Sequence, residues 1–298
     1  MQKILKNLNI RIEKKKINRR IWNDLFKVLI SSDIILFVLD GRDPIGTWSQ
    51  VITKKVKKMR KRVILVLNKS DLVPKWVIAM WIKIFSQDHL VVPFQSMGEK
   101  FLEKKPVLNL IRQIKNLNFQ KKKNFIVGVV GFPNVGKSSL VNTLKGKEIM
   151  TSSSRTGETK VWQFVKLPNN IYIIDSPGII PNLITDDSFA IFRGQIRPEK
   201  FYKQSSEIIS TIRKIIKITG LNIFLMKSVS KKTSSIDLKK TNLTKGGKNL
   251  SVEDFIFFLQ NFLDGKIPWF SPLPCEKKKN MNILKKNKWK YNIDLTLR

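Results

Sequence analysis

The sequence predicts an α/β protein built on a doubly wound, mostly parallel sheet, followed by a smaller helical domain and a basic tail. Three observations carry this expectation. The runs DIILFVLD (33–40), RVILVLN (62–68) and NFIVGVVG (124–131) have the length of strands and the near-continuous hydrophobicity of strands covered on both faces. Segments with helical periodicity alternate with them, as parallel crossovers require. After DSPG at 175–178 the strong strand patterns cease and only helical periods remain.

The elements follow in order. RIWNDLFKVLI (20–30) places Ile21, Leu25, Val28 and Leu29 on one helical face ahead of the first strand. GRDPIGT reads as a loop, 48–60 as a basic helix, and RVILVLN as the second strand. A helix over 75–86, a short strand VVPFQS (91–96) and a helix over 106–117 come next. NFQKKKN (118–124) is a charged link into the third strong strand, which leads to a helix from Ser138. KVWQFVKL (160–167) and NIYIID (170–175) read as a hairpin turned at Pro168-Asn169. Beyond them, IISTIRKIIKI (208–218) and VEDFIFFLQNFL (252–263) are helical, with a polar loop at 227–248 between them. This gives a basic arm at 1–19, a sheet domain at 20–182, a helical domain at 183–272 and a basic tail at 273–298.

Charge sets the class of partner. Fifty-seven Lys and Arg against 22 Asp and Glu leave +35 over 298 residues, an excess that calls for a polyanion. Nucleic acid is the first reading and an anionic membrane surface a distant second. The tail interleaves Trp289 and Tyr291 with lysines, which suits RNA through phosphate pairing and base stacking; a solvated tail fits equally well. Cys275 and His89 are each the sole residue of their type, so a disulfide framework, a zinc site and a Ser-His or Cys-His pair are excluded. No apolar run approaches the ~20 residues of a membrane span. The N-terminal stretch lacks the apolar core of a secretory signal, and its lysines and Glu13 argue against a mitochondrial presequence.

The motifs carry the chemistry. GFPNVGKSS (131–139), between a strand and a helix, is a phosphate-cradling loop. Its glycines, Gly131 and Gly136, let successive N–H groups turn inward, so that Gly131, Asn134, Val135, Gly136, Lys137, Ser138 and Ser139 form the nucleotide-contacting set. Lys137 is placed to neutralise β- and γ-phosphate oxygens and the Ser138 hydroxyl to ligate Mg²⁺. In DSPG, Asp175 would hold Mg²⁺ through water and the Gly178 amide would meet the γ-phosphate. A threonine from RTGETK completes the metal and catalytic set, with Thr159 favoured over Thr156. NKSD (68–71) closes a strand: the Asp71 carboxylate can accept from the ring N–H and exocyclic amine of guanine, Asn68 can meet the base edge and brace the loop, and the Lys69 stem can lie over the base plane. Ser96 in PFQSMG is assigned to a small base-contacting loop. The expected ligands are GTP or GDP with Mg²⁺.

The base motif precedes the phosphate loop, the reverse of the usual order. A doubly wound domain keeps its sheet if its old ends are joined and new ones are cut in an exposed loop, here with NFQKKKN as the join and the cut just after DSPG. At this point the sequence resembles the circularly permuted GTPases of ribosome assembly, the YlqF/YawG-like family, over residues 20–272. The resemblance rests on RIWNDLFKVLISSDIILFVLDGRDPIGT, LNKSDLVPKW, GFPNVGKSSLVNTL, TGETKVWQF, DSPGI and DGKIPWFSP. It implies GTP hydrolysis coupled to maturation and nuclear export of the large (60S) ribosomal subunit, in the nucleolus and nucleus. The implied partners are the pre-60S particle and its rRNA, with no membrane and a monomer off the ribosome. It also implies a potassium ion held by Asn134, for which the alternative is that Asn134 only braces the loop. Gly41 and Trp48 depart from the Ala and Arg expected there, and the family's long N-terminal extension is nearly absent. Ile179 stands where many GTPases carry a water-orienting glutamine, so slow turnover without a pre-ribosomal partner is expected. Two other readings are an organellar ribosome-assembly GTPase and an RNA-binding scaffold with GTP as a structural ligand.

Overall fold

The computed structural model describes residues 19–95, 104–118, 122–145, 163–176, 178, 194, 260–266 and 269–271. In chain order the elements are α1 (Arg19–Ser31), β1 (Ile34–Asp40), α2 (Gln50–Lys58), β2 (Arg62–Asn68), a single 3₁₀ turn (Ser70–Leu72), α3 (Lys75–Phe85), β3 (Leu90–Pro93), α4 (Lys104–Asn118), β4 (Phe125–Gly131), α5 (Lys137–Lys145), β5 (Gln163–Leu167) and β6 (Ile171–Asp175). The strands form one sheet in the order β3-β2-β1-β4-β6-β5. All neighbours are parallel except β5, which pairs antiparallel with β6 as the hairpin pattern predicted.

This order explains how a permuted chain keeps one sheet. From β1 the chain steps outward to β2 and β3, then returns past β1 to lay down β4 on its other side, runs out to β5 at the far edge and turns back to place β6 between β5 and β4. The carboxyl ends of β1, β2, β4 and β6 therefore meet at one edge, the edge at which open α/β sheets bind ligands.

Every residue of β1 is buried, which is why its sequence is apolar up to the closing Asp40. One layer of the core gathers Ile34, Leu36 and Val38 with Ile111 of α4 and Leu140 and Leu144 of α5. The alternate residues Ile35, Phe37 and Leu39 are equally buried, as are Leu25, Val28 and Leu29 of α1. The uniform burial matches the sequence expectation; element ends differ by a few residues, for local reasons. The basic helix starts at Gln50 because Ser49 caps it, its side chain accepting from Ile52 N, and it closes before Arg60, whose φ is 55°. The short strand runs from Leu90 to Pro93, and Phe94 N still donates to Leu67 O at 2.8 Å just beyond it.

Gly128 shows how tightly α1 lies on the sheet. A Cβ there would come within 2.3 Å of Ser32 Oγ, a hydroxyl that donates to Val28 O at 2.6 Å. Gly128→Ala should therefore lower stability by about 1–3 kcal/mol, the usual cost of overpacking a filled core. A denaturant melt checks this. Adding Ser32→Gly should restore part of the loss, whereas simple addition of the two costs would contradict the contact.

The chain divides into two compact units, residues 10–185 with 193–195, which hold the sheet, and residues 1–9, 186–192 and 196–298. In the second unit the last turn of the helix expected at 252–263 is present, and buried Phe262 lies 5.4 Å from the Trp269 ring. The rest of that helix, the helix at 208–218, the polar loop, the N-terminal arm and the tail lie outside the described residues. No helix among the described residues is long and apolar enough to cross a membrane.

Candidate functional site

The phosphate loop leaves β4 at Gly131, where a Cβ would come within 2.5 Å of Val38 O, and turns through Asn134 (φ 59°) and Gly136 (φ 90°) into α5. The free N–H groups and partial positive charge of that helix end thus face the loop's concavity. Lys137 is buried, and its Nζ donates to Phe132 O at 2.8 Å. Burial pushes its ammonium down to about 8, against the pull of Asp175. Asp175, at the end of the neighbouring strand, is fully buried and accepts from Ser138 Oγ at 2.8 Å on Oδ2. Its carboxyl is raised by burial, with Lys137 and its hydrogen bonds opposing. The other oxygen, Oδ1, is buried with no hydrogen-bond partner.

A buried, unpartnered carboxylate oxygen beside a serine hydroxyl is the donor set a hard oxygen-seeking cation takes, so Ser138 and Asp175 fit Mg²⁺. Gly178 closes on the loop from the other side: a Cβ there would come within 2.8 Å of Pro133 Cα. Only glycine permits that approach.

The base motif arrives from two strands away. Asn68 ends β2 fully buried, and its Nδ2 donates to Val135 O of the phosphate loop at 2.8 Å. This contact joins the NKSD turn to the phosphate loop. Lys69 adopts φ 59°, and its Nζ lies 3.1 Å from Asp40 Oδ2. Asp71 follows in the 3₁₀ turn and is exposed; partial burial raises its carboxyl, with Lys69 and Arg42 opposing. Ser70 N donates to Phe94 O at 3.2 Å, which ties the turn to the end of β3.

Asp40 and Arg42 were missed by the sequence reading. Asp40 sits opposite Asn68 in the sheet register and is gripped by Arg42 through Nε to Oδ1 at 3.0 Å and Nη2 to Oδ2 at 2.8 Å. Burial is the largest influence on Asp40 and acts to raise its carboxyl, yet Arg42 and Lys69 together hold it well below the usual range. The signal available was an aspartate ending a wholly apolar strand, one strand away from NKSD.

Ser96, Thr156, Thr159 and Ile179 lie outside the described residues. Asn134 Nδ2 donates to the Gly194 carbonyl at 2.9 Å. Loop, Ser–Asp pair and Gly178 thus stand together, with the NKSD turn fixed to them by Asn68.

A phosphate loop on a central strand, tied to an NKSD turn from earlier in the chain, defines a circularly permuted GTPase domain. The family described as 50S ribosome-binding GTPase matches residues 126–255. Nucleolar GTP-binding protein 2 of Yarrowia lipolytica is 37% identical over 268 residues, covering 86% of this chain and 52% of the relative. The protein of the same name from Saccharomyces cerevisiae is 36% identical over 271 residues, covering 87% and 54%. Among solved structures, GDP-bound YlqF superposes with a TM-score of 0.55 at 26% identity, covering 83% of this chain and 96% of that one. GNP-bound YlqF from T. maritima gives 0.53 at 25%, covering 84% and 94%. The chain is a GTPase with the circularly permuted fold of YlqF, and it is similar over most of its length to nucleolar GTP-binding protein 2. It spans about half the length of the curated relatives it matches.

Proposed function

We propose that the chain binds GTP with Mg²⁺, hydrolyses it, and does so on a precursor of the large (60S) ribosomal subunit held through rRNA, promoting that particle's maturation and export in the nucleolus and nucleus. The observation that carries the reading is the Asn68–Val135 hydrogen bond, which fastens the base motif to the phosphate loop despite their reversed order in the chain. The relatives' name, nucleolar GTP-binding protein 2, supports the compartment.

Each residue has a role in this scheme. The amides of Gly131 to Ser139 cradle the phosphates and Lys137 moves from the Phe132 carbonyl to their oxygens. Asp71 accepts from the guanine edge, and Asp40 holds Lys69 beside it. Ser138, Asp175 and Thr159 would hold Mg²⁺, which when bound neutralises charge between the β- and γ-phosphates. The Gly178 amide marks the γ-phosphate. Ile179 cannot orient a water, so the free protein turns over slowly until the particle orders the remaining groups. Asn134 would supply its Oδ1 to a potassium ion, its Nδ2 being engaged by Gly194.

The depressed ammonium of Lys137 gives a measurable sign. Near pH 8 the free protein carries Lys137 about half protonated. Phosphate oxygens favour the ammonium, so nucleotide binding at that pH should take up roughly half a proton at this residue. Calorimetry of Mg²⁺-free GTP binding in two buffers of different ionisation enthalpy reads the uptake, and proton release would contradict it.

The reading itself is tested by sedimentation with precursor large subunits. A nonhydrolysable GTP analogue should retain the protein on the particle and GDP should release it. Equal co-sedimentation with either nucleotide, together with no turnover on particles, would favour a scaffold in which GTP is a structural ligand.

A further inference from the structure

The sheet has a second edge, formed by the amino ends of its parallel strands, and its charge is unlike that of the nucleotide edge. α2 descends from the loop after β1 and turns into β2, so its last turn and the following residues lie at this edge. There Lys57, Lys58, Arg60 and Arg62 are all exposed. Lys123, two residues before β4, is exposed at the same edge. No acidic residue occurs between Asp43 and Asp71. The acids preceding the neighbouring strands are Asp33 and Asp88. Asp33 is already committed to Lys122 and to Ile126 N.

Within the sheet unit this arrangement works against the fold. Lys54 and Lys57, Lys54 and Lys58, and Lys55 and Lys58 are like charges at helical i,i+3 and i,i+4 spacing, which destabilise a helix. The helix C-terminus favours Lys57 and Lys58, which lie in its last turn, but Arg60, Arg62 and Lys123 lie beyond it and gain nothing from it. Among the described ion pairs none involves Lys57, Lys58, Arg60 or Lys123. Exposed cations clustered at the end of α2 and before β4, on flexible stems and with no acids between 44 and 70, suit a phosphate backbone. A membrane surface would also require a contiguous apolar face; the exposed large apolar residues at this edge are Ile30, Leu90 and Leu117, at the ends of α1 and α4 and the start of β3.

We infer that the amino-end edge of the sheet, centred on Lys57, Lys58, Arg60 and Lys123, is where this domain grips the RNA phosphate backbone, on the side of the sheet away from the nucleotide. This deepens the proposed function and rests on its RNA partner. With seven-residue strands between the two edges, RNA and GTP sit roughly 20 Å apart. The two ligands therefore do not compete for one surface.

The test uses the full chain with a fluorescein-labelled RNA hairpin, titrated by anisotropy over a series of KCl concentrations. The variant carries Lys57→Gln, Lys58→Gln, Arg60→Asn and Lys123→Gln; asparagine tolerates the left-handed backbone at position 60. A control with Lys277→Gln, Lys278→Gln, Lys279→Gln and Lys285→Gln removes the same charge from the tail. The edge variant should weaken binding at least ~10-fold and reduce the salt slope by about 2–4, at roughly 0.7–0.9 for each phosphate no longer neutralised. Its melting temperature and GTP affinity should match the parent's, and the tail control should lose less. A parent that fails to bind RNA overturns the RNA reading as a whole. An edge variant with the parent's slope, or a tail control that loses as much, overturns the edge assignment alone. Loss of binding to phosphatidylserine vesicles with RNA binding intact would reassign the edge to a membrane surface.

Discussion

Replacing Asp71 with asparagine should weaken GTP binding by about two orders of magnitude or more and improve binding of xanthosine triphosphate. The carboxylate of Asp71 is exposed at the carboxyl edge of the sheet, in a turn fixed by the Ser70–Phe94 hydrogen bond and by the Asp40–Lys69 ion pair beneath it. It can accept two hydrogen bonds from guanine, and each hydrogen bond to a charged group contributes about 1.5–3 kcal/mol. An asparagine offers one acceptor and one donor group, so one of the two contacts becomes a donor facing a donor. Xanthine presents an oxygen where guanine has its amine, and the asparagine NH₂ then finds an acceptor. Competition binding of the two nucleotides reads the exchange. A variant that keeps the parent's affinity for GTP would show that NKSD does not read the base.

Lys137→Ala should reduce GTP turnover by about 10²–10³, the loss seen when one positioned donor to developing charge is removed. The effect has two physical parts. The ammonium is held inside the loop by Phe132 O at 2.8 Å, where phosphate oxygens replace that carbonyl without displacing the chain. It also offsets the charge of Asp175, whose carboxyl is already raised by burial. Without Lys137 the carboxyl is raised further and gives a weaker hold on Mg²⁺ near neutral pH. Lys137→Arg should not rescue turnover, since a planar guanidinium does not reproduce the compact ammonium that Phe132 O holds at 2.8 Å. Single-turnover assays over a range of Mg²⁺ concentrations separate the two parts: added Mg²⁺ should recover only a fraction of the loss. Full recovery at high Mg²⁺ would place Lys137 in metal retention alone.

The fold was legible in the sequence wherever burial imposes a pattern. The middles of β1, β2 and β4 had to be apolar because both faces of the sheet are buried there, so their runs marked them to within a residue. The phosphate loop was legible because its geometry demands glycine at positions such as 136, where φ is 90°. Permutation was legible from motif order alone, since a sheet's strand order can survive a change in chain order. What was not legible is charge that acts across strands. Asp40 meets Lys69 only because register sets it against Asn68, and Arg42 completes the cluster from the following loop. Nor does any sequence pattern distinguish an asparagine that reads a base from one that braces a loop. Asn68 shows the second contact through Val135 O, and that position follows from β2 and β4 lying on either side of β1.

Single-turnover hydrolysis of γ-labelled GTP by the full chain, in potassium and in sodium, with and without purified precursor large subunits, tests the proposed activity most directly. The free protein should turn over slowly. Particles should raise the rate by several orders of magnitude, the size of effect that partner-supplied groups produce in other GTPases. A further dependence on potassium should disappear in Asn134→Ala. Fast hydrolysis by the free protein, unchanged by particles and equal in both salts, would contradict a site that the pre-ribosome completes.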